Sequence, residues 1–137
     1  MAREAALQVL FAADVSRKLT ADLASQNFED VQHSFSLPGK ARTRAHELVV
    51  GVSDHLERID ERIASSSANW KVSRLATVDR NILRLATYEL MFEPETPTEV
   101  ILDEAIEITR RFAGETSRAF VNGVLDLIAR EVRGAAA

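Results

Sequence analysis

Apolar residues recur along this 137-residue chain at intervals of three and four, the spacing of one face of an α-helix, rather than in the alternation of a half-buried strand. Leu7, Leu10, Phe11 and Val15 predict a first helix from Ala2 to about Val15, with Arg3, Glu4 and Gln8 on its other face. A weaker amphipathic segment, Asp22 to about Val31, predicts a second helix, and Phe35-Ser-Leu-Pro38-Gly39 breaks it. From Arg42 onward Ala45, Val49, Val52, Leu56, Ile59 and Ile63 alternate steps of four and three. They predict a long helix that bends near Gly51 and Ser53 and ends at Ser65-Ser66-Ser67.

The second half carries stronger signals. Thr77 is the expected N-cap of a helix from Val78 to about Phe92, and Ile82, Leu83, Leu85, Ala86, Leu90 and Met91 make it apolar nearly all round. Such a helix belongs in the centre of a bundle. Thr96-Pro97-Thr98-Glu99 offers a capping box with proline at the first helical position. The helix it starts should bury Ile101, Ala105, Ile108 and Phe112, expose Glu99, Asp103, Glu107, Arg110 and Arg111, and end at about Ala113 with Gly114 as its cap. Acids lead and bases trail along it, as the helix dipole prefers. A last helix is expected from Thr116 or Ser117, packed through Val121, Val124, Leu125, Ile128 and Val132.

These elements predict an all-α fold: a compact bundle of about six to seven helices in two tightly packed subdomains, an N-terminal lobe of about 1–66 and a C-terminal lobe of about 67–134, with Trp70 at or near their junction. The length suits one domain that buries its own core without metals or crosslinks. There are no cysteines, which excludes disulfides, thiolate metal sites and a Cys nucleophile. No apolar run approaches the roughly 20 residues needed to cross a bilayer, so a cytoplasmic protein is expected. The 17 basic and 21 acidic residues give a net charge of −4, which disfavours a binder that covers nucleic acid regardless of sequence. Any RNA site must then be a local patch.

No catalytic constellation emerges from the sequence. His46 and His55 stand nine residues apart, on opposite faces if they share a helix. Asp103, Glu104 and Glu107 sit among arginines in the manner of a solvated face. The glycine motifs that cradle phosphates or aim a nucleophile are missing. The chain is therefore expected to be a non-enzyme with no cofactor and no metal.

Three features invite a binding role. Phe120-Val-Asn122-Gly123 puts an amide and a glycine inside a helix, at a cost of about 1 kcal/mol for the glycine relative to alanine. Either a second backbone approaches Gly123 closely while Asn122 satisfies a neighbouring loop, or Phe120 and Asn122 face RNA, where an aromatic ring stacks on an unpaired base. Arg3 with Arg118, and separately Lys40, Arg42 and Arg44, are candidate basic patches. Asp79, Arg80 and Arg84 form a charged strip on the apolar central helix, suited to docking a partner.

The chain also resembles the NusB family in several blocks. The first is Ala2-Arg3-Glu4-Ala-Ala-Leu-Gln8-Val-Leu-Phe11, and a second runs from Ala68-Asn-Trp70 through Arg74-Leu-Ala-Thr-Val-Asp79-Arg80 and Leu-Arg84-Leu-Ala-Thr-Tyr88-Glu89 to Phe92. Two more are Pro97-Thr98-Glu99-Val-Ile-Leu-Asp103-Glu104-Ala-Ile-Glu107 and Phe120-Val-Asn122-Gly123-Val-Leu-Asp126. The resemblance implies a two-subdomain helical adaptor that binds the boxA element of ribosomal-RNA leader transcripts. It would do so jointly with a small-subunit ribosomal protein called NusE, within an antitermination complex that lets RNA polymerase pass terminators. It further implies that Arg3 and Phe120 serve RNA and that Phe11 and Asp79 face the ribosomal protein; on the charge and motif readings above, Arg80, Arg118 and Asn122 are expected to join the RNA site. Many relatives carry an arginine run before Ala-Arg-Glu and a basic residue where Ala119 stands, so weak RNA binding by the chain alone is expected.

Two other readings compete. A NusB-like segment also precedes the catalytic domain of ribosomal-RNA cytosine methyltransferases, but 137 residues leave no room for a further cofactor-binding domain of roughly 100 residues or more. A purely structural helical oligomer is the other. A homodimer is compatible with either binding reading.

Overall fold

A computed structural model describes residues 2–15, 39–67 and 71–134. The expected helix at Asp22–Val31, His33 and Trp70 lie outside the described residues. Among those described there are six α-helices, one short 3-10 turn and no strand. The chain divides into two compact units, Met1–Leu56 and Glu57–Ala137.

The first unit contains α1 (Ala2–Val15) packed against α2 (Gly39–Asp54). The buried face of α1 is Ala5, Ala6, Leu7, Val9, Leu10 and Ala13. Phe11 and Val15, expected in that stripe, are 38% and 61% exposed. Three alanines account for the difference: Ala5, Ala6 and Ala13 share the buried face with Leu7, Val9 and Leu10, and their small side chains let a neighbouring helix approach where larger residues would hold it off. Across from them, α2 buries Ala45, Leu48, Val49 and Val52.

The long helix expected from Arg42 starts earlier, at Gly39, and is interrupted at His55. Ser53 donates from Oγ to the Val49 carbonyl at 2.8 Å, a bond to residue i−4 that bends helices. With Gly51 two residues before it, the weakened turn ends α2 at Asp54.

The second unit begins in α3 (Leu56–Ser66), which buries Ile59 and Ile63. Its serine end behaves as expected: Ser67 Oγ donates to the Ile63 carbonyl at 2.6 Å and terminates the helix. A 3-10 turn at Val72–Arg74 leads into α4 (Thr77–Phe92), followed by α5 (Thr98–Phe112) and α6 (Glu115–Arg133). These last three pack pairwise on one another. As its composition demanded, α4 is buried nearly all round, through Ile82, Leu83, Leu85, Ala86 and Leu90. Of its buried polar residues, Arg84 grips Asp60 of α3 through Nε and Nη2, each at 2.9 Å.

Cap details differ from expectation. Thr77 is the first helical residue of α4, and Ala76, with extended ψ of 139°, takes the N-cap place without a side-chain bond. Pro97 likewise occupies the N-cap of α5, and no capping box forms. In its place the guanidinium of Arg133, at the end of α6, donates to the carbonyls of Leu90 (3.1 Å), Glu89 (3.0 Å), Glu93 (2.8 Å) and Thr96 and to Thr98 Oγ1 (3.2 Å). One side chain thereby closes the end of α4 and the start of α5.

The α5 core is Ile101, Ala105, Ile108 and Thr109. Thr109 is buried because its hydroxyl returns to the Ala105 carbonyl at 2.7 Å, whereas Phe112, in the last turn, is 46% exposed rather than in the core. Gly114 then joins α5 to α6 with φ 99° and ψ −177°, a region open essentially to glycine alone. Its N–H reaches the Thr109 carbonyl at 3.1 Å and its carbonyl accepts from Arg118 N at 3.0 Å, so it ends one helix and starts the next. Val121, Val124, Leu125 and Ile128 pack as expected, with Val132 only half-buried.

Candidate functional site

The second unit carries a cleft of about 400 Å³, lined by Arg74, Leu75, Ala76, Asp79, Thr116, Ser117 and Phe120. Two element starts build it. The 3-10 turn presents Arg74 and tucks Leu75 inward as a buried wedge, and α4 begins directly after it. On the other wall, Gly114 turns the chain so that the first turns of α6 bring Thr116, Ser117 and Phe120 alongside. Ser117 Oγ donates to Asp79 Oδ2 at 3.1 Å and joins the two walls.

Arg80 holds the turn in place. Its Nη1 donates to the carbonyls of Leu75 (3.1 Å), Val72 (3.2 Å) and Ser73 (3.4 Å). Those carbonyls would otherwise point at solvent from a tight turn with few partners of its own. The residue read as an RNA contact is thus committed to the backbone beside the cleft. Arg84, grouped with it on a charged docking strip, is buried in its ion pair with Asp60. The strip is an internal polar seam.

Asp79 is only 9% exposed, so it does not ride on an open face of α4. It stands in the first turn of the helix, where the exposed N–H groups favour a carboxylate. Its Oδ1 has no hydrogen-bond partner among the described residues.

The other candidate residues are more open. Arg118 pairs with Glu115 at 2.9 Å on the surface, with side chains 45% and 73% exposed, a pair of the kind worth about 0–1 kcal/mol and readily exchanged for another anion. Asn122 and Gly123 are both exposed, and a Cβ built on Gly123 meets nothing within 4 Å. The close-packing explanation for this glycine therefore fails. In the first unit, Arg3 is half-buried on α1, and Phe11 leaves more than a third of its surface uncovered.

The structure therefore brings Asp79 and Phe120, read as serving different partners, into one cleft. It adds two residues that sequence reasoning did not single out, Arg74 and Ser117. Periodicity could not find them, because Arg74 ends the short 3-10 turn and Ser117 stands in the first turn of α6, where apolar spacing carries no information. Their only signal was position, next to a helix entry.

A protein-family model described as the NusB family matches residues 1–130. The chain belongs to the NusB family. It is 46% identical over 132 residues to the transcription antitermination protein NusB of Sorangium cellulosum, covering 95% of this chain and 90% of that relative. Among solved structures it resembles T. maritima NusB, with TM-score 0.84 and 40% identity over 95% of this chain and 89% of that one. It also resembles a NusB solved with NusE in complex with double-stranded RNA, at TM-score 0.86 and 28% identity over 95% of this chain and 94% of that one. The NusB relatives are named for transcription antitermination and not for a catalysed reaction. None of the described helices is long and apolar enough to cross a membrane.

Proposed function

We propose that this NusB-family chain is a transcription antitermination factor that binds boxA RNA of ribosomal-RNA leader transcripts together with NusE, and so helps RNA polymerase read through terminators. The observation that carries this reading is the match, along nearly the whole chain, to a NusB solved with NusE and RNA. Physical features support it. Phe120 lines a cleft whose rim carries Arg74, which has no acidic partner among the described residues; aromatic rings and arginines are the groups on which unpaired bases stack and phosphates are neutralised. With net charge −4 the chain has few bases to spend on phosphates, which favours a composite surface shared with a second protein.

Within that reading, Arg118 and Arg3 supply phosphate contacts, Phe120 and Asn122 the base contacts, and the exposed ring of Phe11 the main apolar anchor for NusE. Asp79 is too enclosed to be an open docking charge, and Arg80 contributes by holding the turn beside the cleft. The deciding experiment titrates boxA-like single-stranded RNA against the protein with and without NusE. Tighter binding in the presence of NusE, weakened by Phe11→Ala, is expected. RNA affinity that NusE leaves unchanged would sink the proposal in favour of a structural oligomer.

A further inference from the structure

We infer that the arginine face of α3, over Met91 of α4, docks an acidic segment of a protein other than NusE, which lays a carboxylate on Arg58 and Arg62 and an apolar side chain against Met91. The site goes beyond the RNA-binding reading and does not rest on it.

Packing creates the face. Because α3 buries Ile59 and Ile63, the residues Arg58, Glu61, Arg62 and Ser65, at spacings of three and four, share a stripe turned away from that core. With Met91 from the last turn of α4 they line a cavity of about 360 Å³. Arg58, Glu61 and Ser65 are exposed, while Arg62 and Met91 are half-buried. Asp79 in the first turn of α4 and Met91 in its last stand about 18 Å apart along the axis, at about 1.5 Å per residue. This cavity and the cleft beside Phe120 thus sit at opposite ends of one helix.

The two guanidinium groups are held in place but keep donors to spare. That of Arg58 lies 5.2 Å from the centre of the Phe92 ring and has no acidic partner among the described residues. Stacking on a ring fixes the plane of an arginine and leaves the N–H groups on its edge open to a carboxylate. Phe92 is braced in turn by Tyr88, with ring centroids 5.6 Å apart. Arg62 gives Nη1 to Glu131 at 2.7 Å, in a pair whose side chains are both 36% exposed. Its Nε and Nη2 donate to nothing among the described residues. One helical turn apart, the two groups can share a carboxylate or grip two.

Charge decides the occupant. An RNA backbone laid along the stripe would meet Glu61 in the lining and Glu131 beside Arg62, and the Phe92 ring that could stack a base is already engaged by Arg58 and Tyr88. A partner that brings bases, as NusE is expected to, is repelled by the arginines. A protein segment with separate carboxylates around an apolar residue meets neither obstacle, and a base on it can pair with Glu61. Arginine and methionine are also enriched where proteins meet, and the unbranched thioether of Met91 adapts to the side chain set against it.

The test uses the full chain and three helical peptides of equal length. One carries two glutamates a turn apart flanking a leucine, the second has glutamines in place of the glutamates, and the third has alanine in place of the leucine. NMR follows the Nε–H signals of Arg58 and Arg62 and the methyl signal of Met91 during each titration. The first peptide should move all three signals and bind about tenfold more tightly than the second, the scale of a hydrogen bond between charged groups. The third should bind more weakly than the first and leave the Met91 methyl signal nearly unmoved. Arg58→Ala and Arg62→Ala should each weaken the first peptide about tenfold, whereas Arg110→Ala, at an exposed arginine of α5, should change nothing. Glu131→Gln should act in the opposite direction and tighten binding about threefold, because it releases Arg62 Nη1 from a surface pair. Arg58 is exposed and Arg62 makes only that surface pair, so the fold tolerates these substitutions.

Two further measurements assign the surface. Affinity for NusE, and for boxA-like RNA in the presence of NusE, should be the same in Arg58→Ala and Arg62→Ala as in wild type. A flattened salt slope for RNA would give the arginines to phosphates, and weaker NusE binding would give them to NusE. Either result overturns the inference while RNA binding with NusE still stands. Failure of the first peptide to bind, or binding that ignores its glutamates or the two arginine substitutions, overturns it as well.

Discussion

Arg84 and Asp60 are joined by two parallel bonds of 2.9 Å, with the guanidinium buried on α4 and the carboxylate on α3. Their geometry is the fork-to-fork pairing that arginine makes and lysine cannot. Asp60→Ala should cost about 3 kcal/mol or more, because the cation left behind stays enclosed by α4 and cannot recover its hydration. Arg84→Met, which fills the same space without a charge, should cost distinctly less. Urea denaturation of the two variants measures both, and a smaller loss for Asp60→Ala than for Arg84→Met would contradict the argument.

Arg133 makes a second prediction. Its five bonds hold carbonyls at the end of α4 and in the following turn, and the Thr98 hydroxyl at the start of α5, where the expected capping box is absent. Arg133→Lys keeps the charge but loses the planar fork, and bonds from a charged donor contribute about 1.5–3 kcal/mol each. A loss of at least about 2 kcal/mol is expected, with amide exchange faster first around Thr96 and Thr98. A uniform change in exchange across the second unit would show that Arg133 acts globally rather than on this junction.

How far the fold could be read in advance depended on the scale of the signal. The central position of α4 followed from residues such as Ile82, Leu83 and Leu90, apolar on every side, and the span of α1 from breaker-free periodicity. Phe11 and Phe112 were misplaced because hydrophobicity alone does not show which side of a helix a neighbour approaches. Alanines on α1 and a hydroxyl bonded to its own backbone at Thr109 decided that. The capping box expected at α5 failed for a related reason: Arg133 reaches Thr98 from 35 residues away, beyond any local rule, whereas the Gly114 cap was read correctly. Phe120 was legible as a candidate from its motif. Its neighbour Arg74 was not, since only the fold brings the turn before α4 to the first turns of α6.

Gly123 yields a prediction of opposite sign. It stands exposed inside α6, and a Cβ there meets nothing within 4 Å. Gly123→Ala should therefore stabilise the protein by about 0.5–1 kcal/mol through helix propensity and lower chain entropy in the unfolded state. A glycine kept at a cost in stability, beside the exposed Asn122, suits a surface approached by a binding partner. The variant should then bind RNA and NusE together less tightly than wild type while melting at a higher temperature. Destabilisation would reveal a tight approach and remove this reading.

The last prediction separates charge from stacking at the RNA surface. If Arg3 and Arg118 each neutralise one phosphate and Arg74 a third, the log-log salt slope for the chain should lie near −2, from about −0.7 per contact for a single strand. Arg80 is left out of this count because its Nη1 is already committed to carbonyls of the turn. Arg118→Ala should flatten the slope by about 0.7 at almost no cost in stability, since it breaks only an exposed pair with Glu115. Phe120→Ala should act differently: removing a stacking face costs about 1–3 kcal/mol of binding at every salt concentration and leaves the slope unchanged, because no counterion is released by a ring. Adding NusE should steepen the slope for every variant by contributing its own bases. Titrations at four or more salt concentrations, with and without NusE, measure each slope and intercept independently. A Phe120→Ala variant that alters the slope, or an Arg118→Ala variant that shifts the intercept alone, would mean that the two side chains do not divide the work as their positions on α6 imply.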